Sequence, residues 1–174
     1  MQHQAMIACA PPKVRLIKKG PDQSVPDWDN QKARTIFDQM LVSTNNKINA
    51  VAAANDGLAG AVVASLKAHH LKALPLSGQD ATPQGVQNIL SGWQTMTVYK
   101  AVRTEANAAA KVAIDLLRGR KVATNGAVSN GSRNVPSVLL KPQSITKKNY
   151  TLLFKDGFLK RNQVCIGQFR KLCK

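Results

Sequence analysis

The sequence predicts an α/β fold in which a parallel sheet carries helices on both faces. Between residues 30 and 117, stretches with helical periodicity alternate with short apolar stretches. Strands that alternate with helices in this way form parallel sheets with right-handed crossovers. The 174 residues, 44% of them hydrophobic, suffice for one compact domain of this class, whether it stands alone or is a piece of something larger.

The first elements are a strand, a helix and a second strand. Val14–Ile17 predicts a short strand, and Asp29 or Asn30 is suited to cap the helix that follows. Asn45–Asn46 ends this helix, and the almost wholly apolar run Ile48–Ala54 predicts a strand covered on both faces. The apolar residues of the helix recur on one face: Ala33, Ile36, Phe37, Met40 and Leu41.

The alternation continues to residue 117. Asn55–Gly57 breaks the apolar run, and Asp56 is assigned to helix capping. Thr82 followed by Pro83 is typical of a helix N-cap and first position, and Gly119 ends a long Ala-rich helix. The predicted elements are a helix marked by Leu58, Val62 and Leu66, a strand at Leu74–Leu76, a helix from Thr82 to Gly92, a strand at Gln94–Lys100 with Met96 and Val98 alternating against Thr95, Thr97 and Tyr99, and a helix at Val102–Leu117.

The pattern weakens after residue 120. Residues 121–134 are polar and rich in Gly, Ser and Asn, which predicts a linker or surface loop. Val135–Leu140 and Leu152–Phe154 are short apolar islands, interpreted as edge strands or packing segments.

The formal net charge of +16 suggests an anionic partner such as nucleic acid. The distribution of charge weakens this interpretation. Between residues 117 and 174 Asp156 is the one acid, and the bases are spread almost evenly, with few aromatic residues among them and no DNA-binding motif. A basic module for nucleic acid or another polyanion is therefore kept as the alternative function, with no specific nucleic acid predicted.

Three cysteines are present. Cys9 is interpreted as an ordinary thiol, while Cys165 and Cys173, eight residues apart in a polar tail, suit a disulfide loop better than a zinc site. Such a disulfide requires an oxidising compartment, although the first residues lack the basic flank and apolar length of a signal peptide.

The sequence gives little support for a membrane span, an enzyme active site or a metal site. No stretch is long and apolar enough for a membrane span, and the paired carboxylates or glycine-rich phosphate loops of common enzymes are missing. His69–His70 is interpreted as a surface pair, because adjacent helical residues point in different directions. The sequence thus predicts no enzyme, no cofactor and no metal site.

Ligands of parallel α/β sheets bind beyond the carboxyl ends of the strands. Asn55 follows the predicted strand Ile48–Ala54, Asp80 lies in the loop after Leu74–Leu76, and Lys100 ends Gln94–Lys100. Trp28 lies in the loop before the first helix. A carboxylate accepts hydrogen bonds from vicinal hydroxyls, amide and ammonium groups donate to sugar oxygens, and an indole covers the C–H face of a sugar ring. These four residues are the candidate site for a polyhydroxylated ligand.

Each candidate also has a structural explanation. Trp28 could be a packing residue, and Asn55 could form a turn. Asp80 could cap the helix that begins at Thr82, and Lys100 could be a solvated strand end.

Seven short segments stand out in order along the chain: Trp28–Ala33, Asn45–Val51, Ala54–Gly57, Ser77–Ala81, Gln94–Lys100, Asn134–Ser137 and Lys155–Phe158. Together they resemble the D-xylose-binding members of the periplasmic solute-binding protein family. The resemblance runs from about residue 22 to the end, whereas Met1–Gly20 shows little of it, except for a partial likeness at Val14–Ile17. It places Trp28, Asn55, Asp80 and Lys100 on sugar-contact positions of the family.

Several expectations follow from this resemblance. The chain corresponds to the C-terminal lobe of a type 1 periplasmic binding protein, incomplete, and would be the truncated substrate-binding component of a carbohydrate ABC importer. The ligand would be a monosaccharide such as D-xylose, the partner an importer permease, and the location periplasmic or extracellular. The expected parts are residues 1–21, unmatched; 22–100, a partial sugar-binding lobe; 101–134, a hinge-crossing helix and linker; and 135–174, a return segment and tail.

Whole family members are considerably longer than 174 residues, so further sugar contacts would come from a part that this chain lacks. A sugar-sensing repressor shares the fold, but no DNA-reading segment precedes it here, which makes that function the weakest of the three.

Overall fold

A computed structural model describes the backbone of residues 5–9 and 18–173 and the side chains of residues 19–173. The predicted strand Val14–Ile17 lies outside these residues. The described residues up to Tyr99 form one unit with those from Ser144 onward, and Lys100–Gln143 form a second unit. The two units are described separately below.

The first unit begins with two antiparallel strands. β1 (Ala5–Cys9) pairs with β2 (Lys18–Gln23), and the register shifts between Met6 and Ala8. The sequence analysis did not predict either strand. Cys9 ends β1, but its thiol is outside the described side chains.

The parallel sheet is present as short pairings. Val51 forms a parallel bridge with Leu76, and Gln79 forms one with Val98. The strand predicted at Ile48–Ala54 and that at Leu74–Leu76 are thereby reduced to isolated bridges. A physical reason is at hand, because Pro75 has no N–H with which to extend the ladder toward its start.

The third strand is shorter than predicted. β3 comprises Thr97–Tyr99 and pairs with β6, Gln143–Ile145. The α/β class with parallel pairing is confirmed, and the strands themselves are shorter than the apolar runs suggested.

Three helices of this unit begin at side-chain caps. α1 (Asn30–Ser43) begins after Asp29, whose carboxylate accepts hydrogen bonds from the N–H groups of Gln31 at 2.7 Å and Lys32 at 2.9 Å. α2 (Asp56–Ala68) is capped by Asn55. α3 (Pro83–Leu90) is capped by Thr82, as predicted. A Thr44–Asn46 turn with positive φ at Asn45 and Asn46 follows α1, so the predicted stop is also confirmed.

The second unit consists of one helix and one hairpin. α4 (Val102–Leu117) follows Ala101, and β4 (Gly126–Ser129) pairs antiparallel with β5 (Asn134–Ser137). The stretch predicted as a linker or loop therefore contains a strand, and only the first part of the island at Val135–Leu140 is a strand. Asn130 makes the turn, since its side chain accepts from the N–H groups of Ser132 and Arg133.

The C-terminal segment returns to the first unit. Leu152–Phe154, one of the islands interpreted as edge strand or packing segment, lies in a single helical turn, α5 (Leu152–Lys155), where Leu153 is fully buried. It is thus a packing segment. α6 (Arg161–Val164) follows, and Gln87 of α3 donates a hydrogen bond to the carbonyl oxygen of Val164.

The main hydrophobic core lies between α1, α2 and the first two parallel segments. Phe37 and Leu41 of α1 and Leu66 of α2 are at most 2% exposed. This packing fixes the N-termini of α1 and α2 beside the sheet. The core also contains Ala33, Met40, Ile48, Val51, Ala53, Leu58, Ala59, Ala61, Val62, Val63 and Leu76.

Candidate functional site

The carboxyl ends of the parallel segments are held at a common edge by backbone hydrogen bonds. The N–H of Asp56 donates to the carbonyl of Gln79 at 2.9 Å. The N–H of Asp80 donates to the carbonyl of Val98, also at 2.9 Å. The backbone after Ile48–Ala54 therefore lies beside the backbone after Leu74–Leu76. This agrees with the expectation that Asn55 and Asp80 lie near each other.

Asn55 occupies the N-cap of α2. Its Oδ1 accepts a hydrogen bond from the N–H of Leu58 at 2.9 Å, and the residue is half-buried. The side chain can offer a ligand its amide N–H donors and the remaining lone pair of this oxygen. The capping role that we had assigned to Asp56 belongs instead to Asn55.

Asp80 sits in a short loop between the second parallel segment and α3. It is exposed and has φ of +94°, and the next residue, Ala81, has φ of +50° while fully buried. The suggested capping of α3 by Asp80 is wrong, because Thr82 Oγ1 accepts from the N–H of Gly85 at 3.0 Å.

Trp28 ends a short 3₁₀ helix, Pro26–Trp28, just before α1, and the residue is 45% exposed. A Cβ placed on Gly57 would come within 2.8 Å of Asn30 Oδ1 and 3.4 Å of Asn55 Oδ1. The side chains of Asn30 and Asn55 therefore both reach the first turn of α2. Trp28 precedes Asn30 by two residues, so its loop enters α1 on this side of the unit.

Lys100 follows β3 directly along the chain and is half-buried. It is the first residue of the second unit, and its position relative to Trp28, Asn55 and Asp80 remains a prediction from the sequence.

A buried carboxylate supports this edge from beneath. The Asp56 side chain is 1% exposed, and its Oδ2 accepts from the N–H of Thr82 at 2.8 Å and from Thr82 Oγ1 at 3.2 Å. Its Oδ1 accepts from Nε2 of Gln94 at 2.8 Å. A Cβ on Gly78 or on Gly85 would overlap this carboxylate, so glycine is required at both positions.

Burial raises the pKa of the Asp56 carboxyl above its ordinary value. Hydrogen bonds from Gln94, Thr82 and Thr97 partly oppose that effect, because they favour the charged form. Asp56 is thus a structural carboxylate that joins the start of α2 to the start of α3 and to the segment that follows α3, and it is 1% exposed.

Thr97 and Gln94 are the residues of this region that sequence reasoning missed. β3 keeps the alternation, and its buried side carries the fully buried Thr97 together with Tyr99. Gln94 precedes this strand and is 2% exposed. Polar residues on an inward face need buried partners. Asp56 and the backbone of the Asp80 loop are those partners, and a one-dimensional pattern does not show them.

Asp80, Asn55 and Trp28 supply a carboxylate, an amide and an indole, and the meeting of these side chains at one edge remains a prediction. Such a set can accept from hydroxyls, donate to ring or hydroxyl oxygens and cover an apolar ring face. Within residues 19–173 no three His, Cys, Asp or Glu side chains are grouped in a way that could hold a metal ion. His69 and His70 are exposed, as predicted, although His69 Nε2 lies 3.1 Å from Oδ1 of Asp38.

Two further features concern the C-terminal cysteines and the length of the helices. Cys165 and Cys173 form a disulfide with a Cα–Cα distance of 5.9 Å, so that prediction is confirmed. In the described part of the chain, no helix has the length and apolar character that crossing a bilayer demands.

Comparison with known proteins agrees with this geometry. The family model of the periplasmic binding protein domain matches residues 2–121, whereas the motif resemblance begins near residue 22. The chain is 40% identical over 150 residues to the D-xylose-binding periplasmic protein of Escherichia coli strain K12, which covers 85% of this chain and 46% of that protein. It is 39% identical over 144 residues to the D-xylose-binding periplasmic protein of Haemophilus influenzae, covering 82% and 43%.

A solved structure gives the same result. The ABC transporter solute-binding protein of Clostridium phytofermentans, with bound β-D-glucose, superposes with a TM-score of 0.72 at 30% identity, covering 79% of this chain and 44% of that one. The chain therefore spans less than half the length of these relatives. By the family match and by the fold, this protein belongs to the periplasmic binding protein domain family.

Proposed function

We propose that this chain binds a monosaccharide such as D-xylose through Trp28, Asn55, Asp80 and Lys100, as part of the substrate-binding component of a carbohydrate ABC importer. One observation carries this proposal: backbone hydrogen bonds bring the ends of the parallel segments together. The N–H of Asp56 donates to the Gln79 carbonyl, and the N–H of Asp80 donates to the Val98 carbonyl. The similarity to two D-xylose-binding periplasmic proteins supports the choice of sugar.

The roles of the residues follow from their chemistry. The exposed Asp80 carboxylate accepts hydrogen bonds from sugar hydroxyls, and the Asn55 amide N–H group donates to sugar oxygens while its Oδ1 holds the helix cap. Trp28, with 45% of its surface exposed, covers the C–H face of the ring. Lys100 donates to a hydroxyl or ring oxygen.

The proposed role is carriage rather than catalysis. The carboxylate nearest to Asp80 along the chain, Asp56, is buried and engaged by Thr82 and Gln94, so it is not disposed as the second carboxylate that glycoside chemistry requires. Similarity to solute-binding proteins supports the same view. The partner would be an importer permease.

The proposed location is the periplasm or the extracellular space. The Cys165–Cys173 disulfide supports it, because such bonds persist in oxidising compartments. The relatives that are periplasmic by name support it as well.

Tryptophan fluorescence tests the proposal. In a Trp93→Phe background Trp28 is the remaining tryptophan, and D-xylose should change its emission with a saturable dependence on sugar concentration. Asp80→Ala should weaken this binding by about tenfold or more, because it removes a charged acceptor. Asp38→Ala is the matched control, since Asp38 pairs with His69 beyond the C-terminal end of α2 and should leave binding unchanged.

Two results would count against the proposal. The first is Trp28 emission that does not change with D-xylose at any concentration. The second is equal sugar affinity of the Asp80→Ala and Asp38→Ala variants. Either result would show that the sugar does not bind at this edge. DNA binding that falls steeply with salt and is insensitive to xylose would favour the polyanion module instead.

A further inference from the structure

The loop that carries Asp80 has an unusual backbone. Asp80 and Ala81 are consecutive non-glycine residues with φ of +94° and +50°. L-residues enter this region at a cost of about 1 kcal/mol or more each, so the surrounding structure must hold them there. Ala81 is also fully buried, which leaves no room for the loop to relax inward.

Three consecutive backbone N–H groups hold the loop. That of Asp80 donates to the Val98 carbonyl at 2.9 Å. That of Ala81 donates to Thr97 Oγ1 at 3.1 Å, and that of Thr82 donates to Asp56 Oδ2 at 2.8 Å. Two of the three acceptors are therefore side chains, and both are at least 99% buried.

The two side-chain acceptors are also linked to each other. The Thr97 hydroxyl favours the charged form of the Asp56 carboxyl and so lowers its pKa, while its oxygen accepts from the Ala81 N–H. The backbone around Asp80 is thus held by the side chains of Thr97 and Asp56, and both are buried.

We propose that Thr97, together with Asp56, is a positioning residue for ligand binding: its hydroxyl holds the backbone of Asp80 and Ala81 in the left-handed conformation that presents the Asp80 carboxylate at the edge. This inference rests on the proposed function, because it assumes that Asp80 binds the sugar. Neither Thr97 nor Asp56 contacts the ligand in this account.

The consequence is a loop that is formed before the sugar arrives. If the loop were free to move, part of the binding energy would be spent in ordering it, and the affinity would fall. Losing the Thr97 hydroxyl should therefore weaken D-xylose binding by about tenfold, although it removes no contact with the sugar.

The chain contains a closely matched control. Thr95 Oγ1 accepts from the N–H of Leu76 at 3.1 Å, the same kind of bond at the same length as that between Thr97 and Ala81. Thr95 lies at the start of the same strand segment, away from the carboxyl edge. Thr95→Val and Thr97→Val each remove one bond from a backbone N–H to a threonine hydroxyl, and only the second bond supports Asp80. Because Thr95 is exposed and Thr97 is fully buried, Thr97→Ser, which keeps the buried hydroxyl, is the second control.

The first measurement uses the full wild-type chain. Amide hydrogen exchange followed by NMR should show the Ala81 N–H protected in the absence of sugar. An Ala81 amide that exchanges at the rate of an unstructured one, and becomes protected only with D-xylose, would overturn the proposal without any variant having to fold.

The second measurement is a D-xylose titration of the wild type and three variants. Thr97→Val should weaken binding about tenfold and expose the Ala81 amide, whereas Thr97→Ser, which keeps the hydroxyl, and Thr95→Val should stay close to wild type. Equal affinities for Thr97→Val and Thr95→Val would refute the positioning role while leaving the sugar site intact. A wild-type chain that does not bind the sugar at all would overturn the proposed function and, with it, this inference.

Discussion

Replacing Asp56 by alanine tests the buried network most severely. The carboxylate accepts from Thr82 N–H, Thr82 Oγ1 and Gln94 Nε2 at 2.8, 3.2 and 2.8 Å. Hydrogen bonds to a charged group contribute about 1.5–3 kcal/mol each, but the cost of burying this carboxylate offsets part of that sum. Gln94 Nε2 also keeps a second acceptor in the variant, the Met96 carbonyl at 3.0 Å.

We therefore expect Asp56→Ala to lower the free energy of unfolding by about 3 kcal/mol, since it leaves the Thr82 N–H without an acceptor and opens a small void between Gly78 and Gly85. For a unit of this size that corresponds to a fall in Tm of about 10 °C. Urea titration followed by circular dichroism measures the first quantity, and a thermal scan measures the second.

Two companion variants make this experiment specific. Asp56→Asn keeps an acceptor for Thr82, and Gln94 Oε1, which is buried with no hydrogen-bond partner among the described residues, can turn to accept from the new amide. It should cost about half as much as alanine. Asp38→Ala removes a half-buried surface carboxylate and should cost less than about 0.5 kcal/mol. If Asp56→Ala and Asp38→Ala were equally stable, the network would not be a support of the fold.

Two further predictions concern pH and the disulfide. Because burial raises the pKa of Asp56 above 3.8, the native state holds this proton more tightly than the unfolded chain, so the free energy of unfolding falls as pH rises from 3.8 through the folded-state pKa. Urea midpoints across this range should show a steeper fall in wild type than in Asp56→Asn, and parallel curves would contradict the assignment. Reducing the Cys165–Cys173 bond opens a loop with a sequence separation of eight and should lower the free energy of unfolding by up to about 2.5 kcal/mol. Reductant should therefore lower the Tm of the wild type but not that of the Cys165→Ser variant. An unchanged Tm in the wild type would mean that this disulfide contributes nothing to stability.

Helix caps and turns were predictable because their signals are local. Thr82–Pro83 starts α3, Asp29 caps α1, and Asn45–Asn46 takes the positive φ that ends α1, each through bonds to residues within a few positions. Asn55 was selected as a site candidate because it directly follows the apolar run Ile48–Ala54, and Asp80 because it lies in the loop after Leu74–Leu76; their role in binding remains a prediction.

The extent of the strands was not predictable in the same way. Ile48–Ala54 is apolar enough for a full strand, yet bridge pairing in this run is confined to Val51 and Ala52, and Val51 lies beside a segment that contains Pro75. Pairing depends on the partner's backbone, which lies more than 20 residues away along the chain. Likewise, the strand at Gly126–Ser129 lies in a polar stretch whose composition is that of a loop, and its pairing with Asn134–Ser137 is what defines it.

The buried polar pair was hidden for another reason. In the sequence, Asp56 indicates a helix start and Thr97 one side of an alternating strand. The two residues are 41 positions apart, yet both accept hydrogen bonds from the backbone of the Asp80 loop and Thr97 influences the Asp56 carboxyl. Local propensity carries no information about such a contact, so the sequence favoured capping for Asp56, which the structure assigns to Asn55.

The most direct test of the sugar site is a two-dimensional amide NMR titration of the full chain with D-xylose. We predict that resonances of the carboxyl edge will shift, namely those of Asn55, Asp80 and the Trp28 indole, while Trp93 and His69 stay unmoved. Shifts confined to Trp93 and His69, or no xylose-dependent shifts at any residue, would contradict the account.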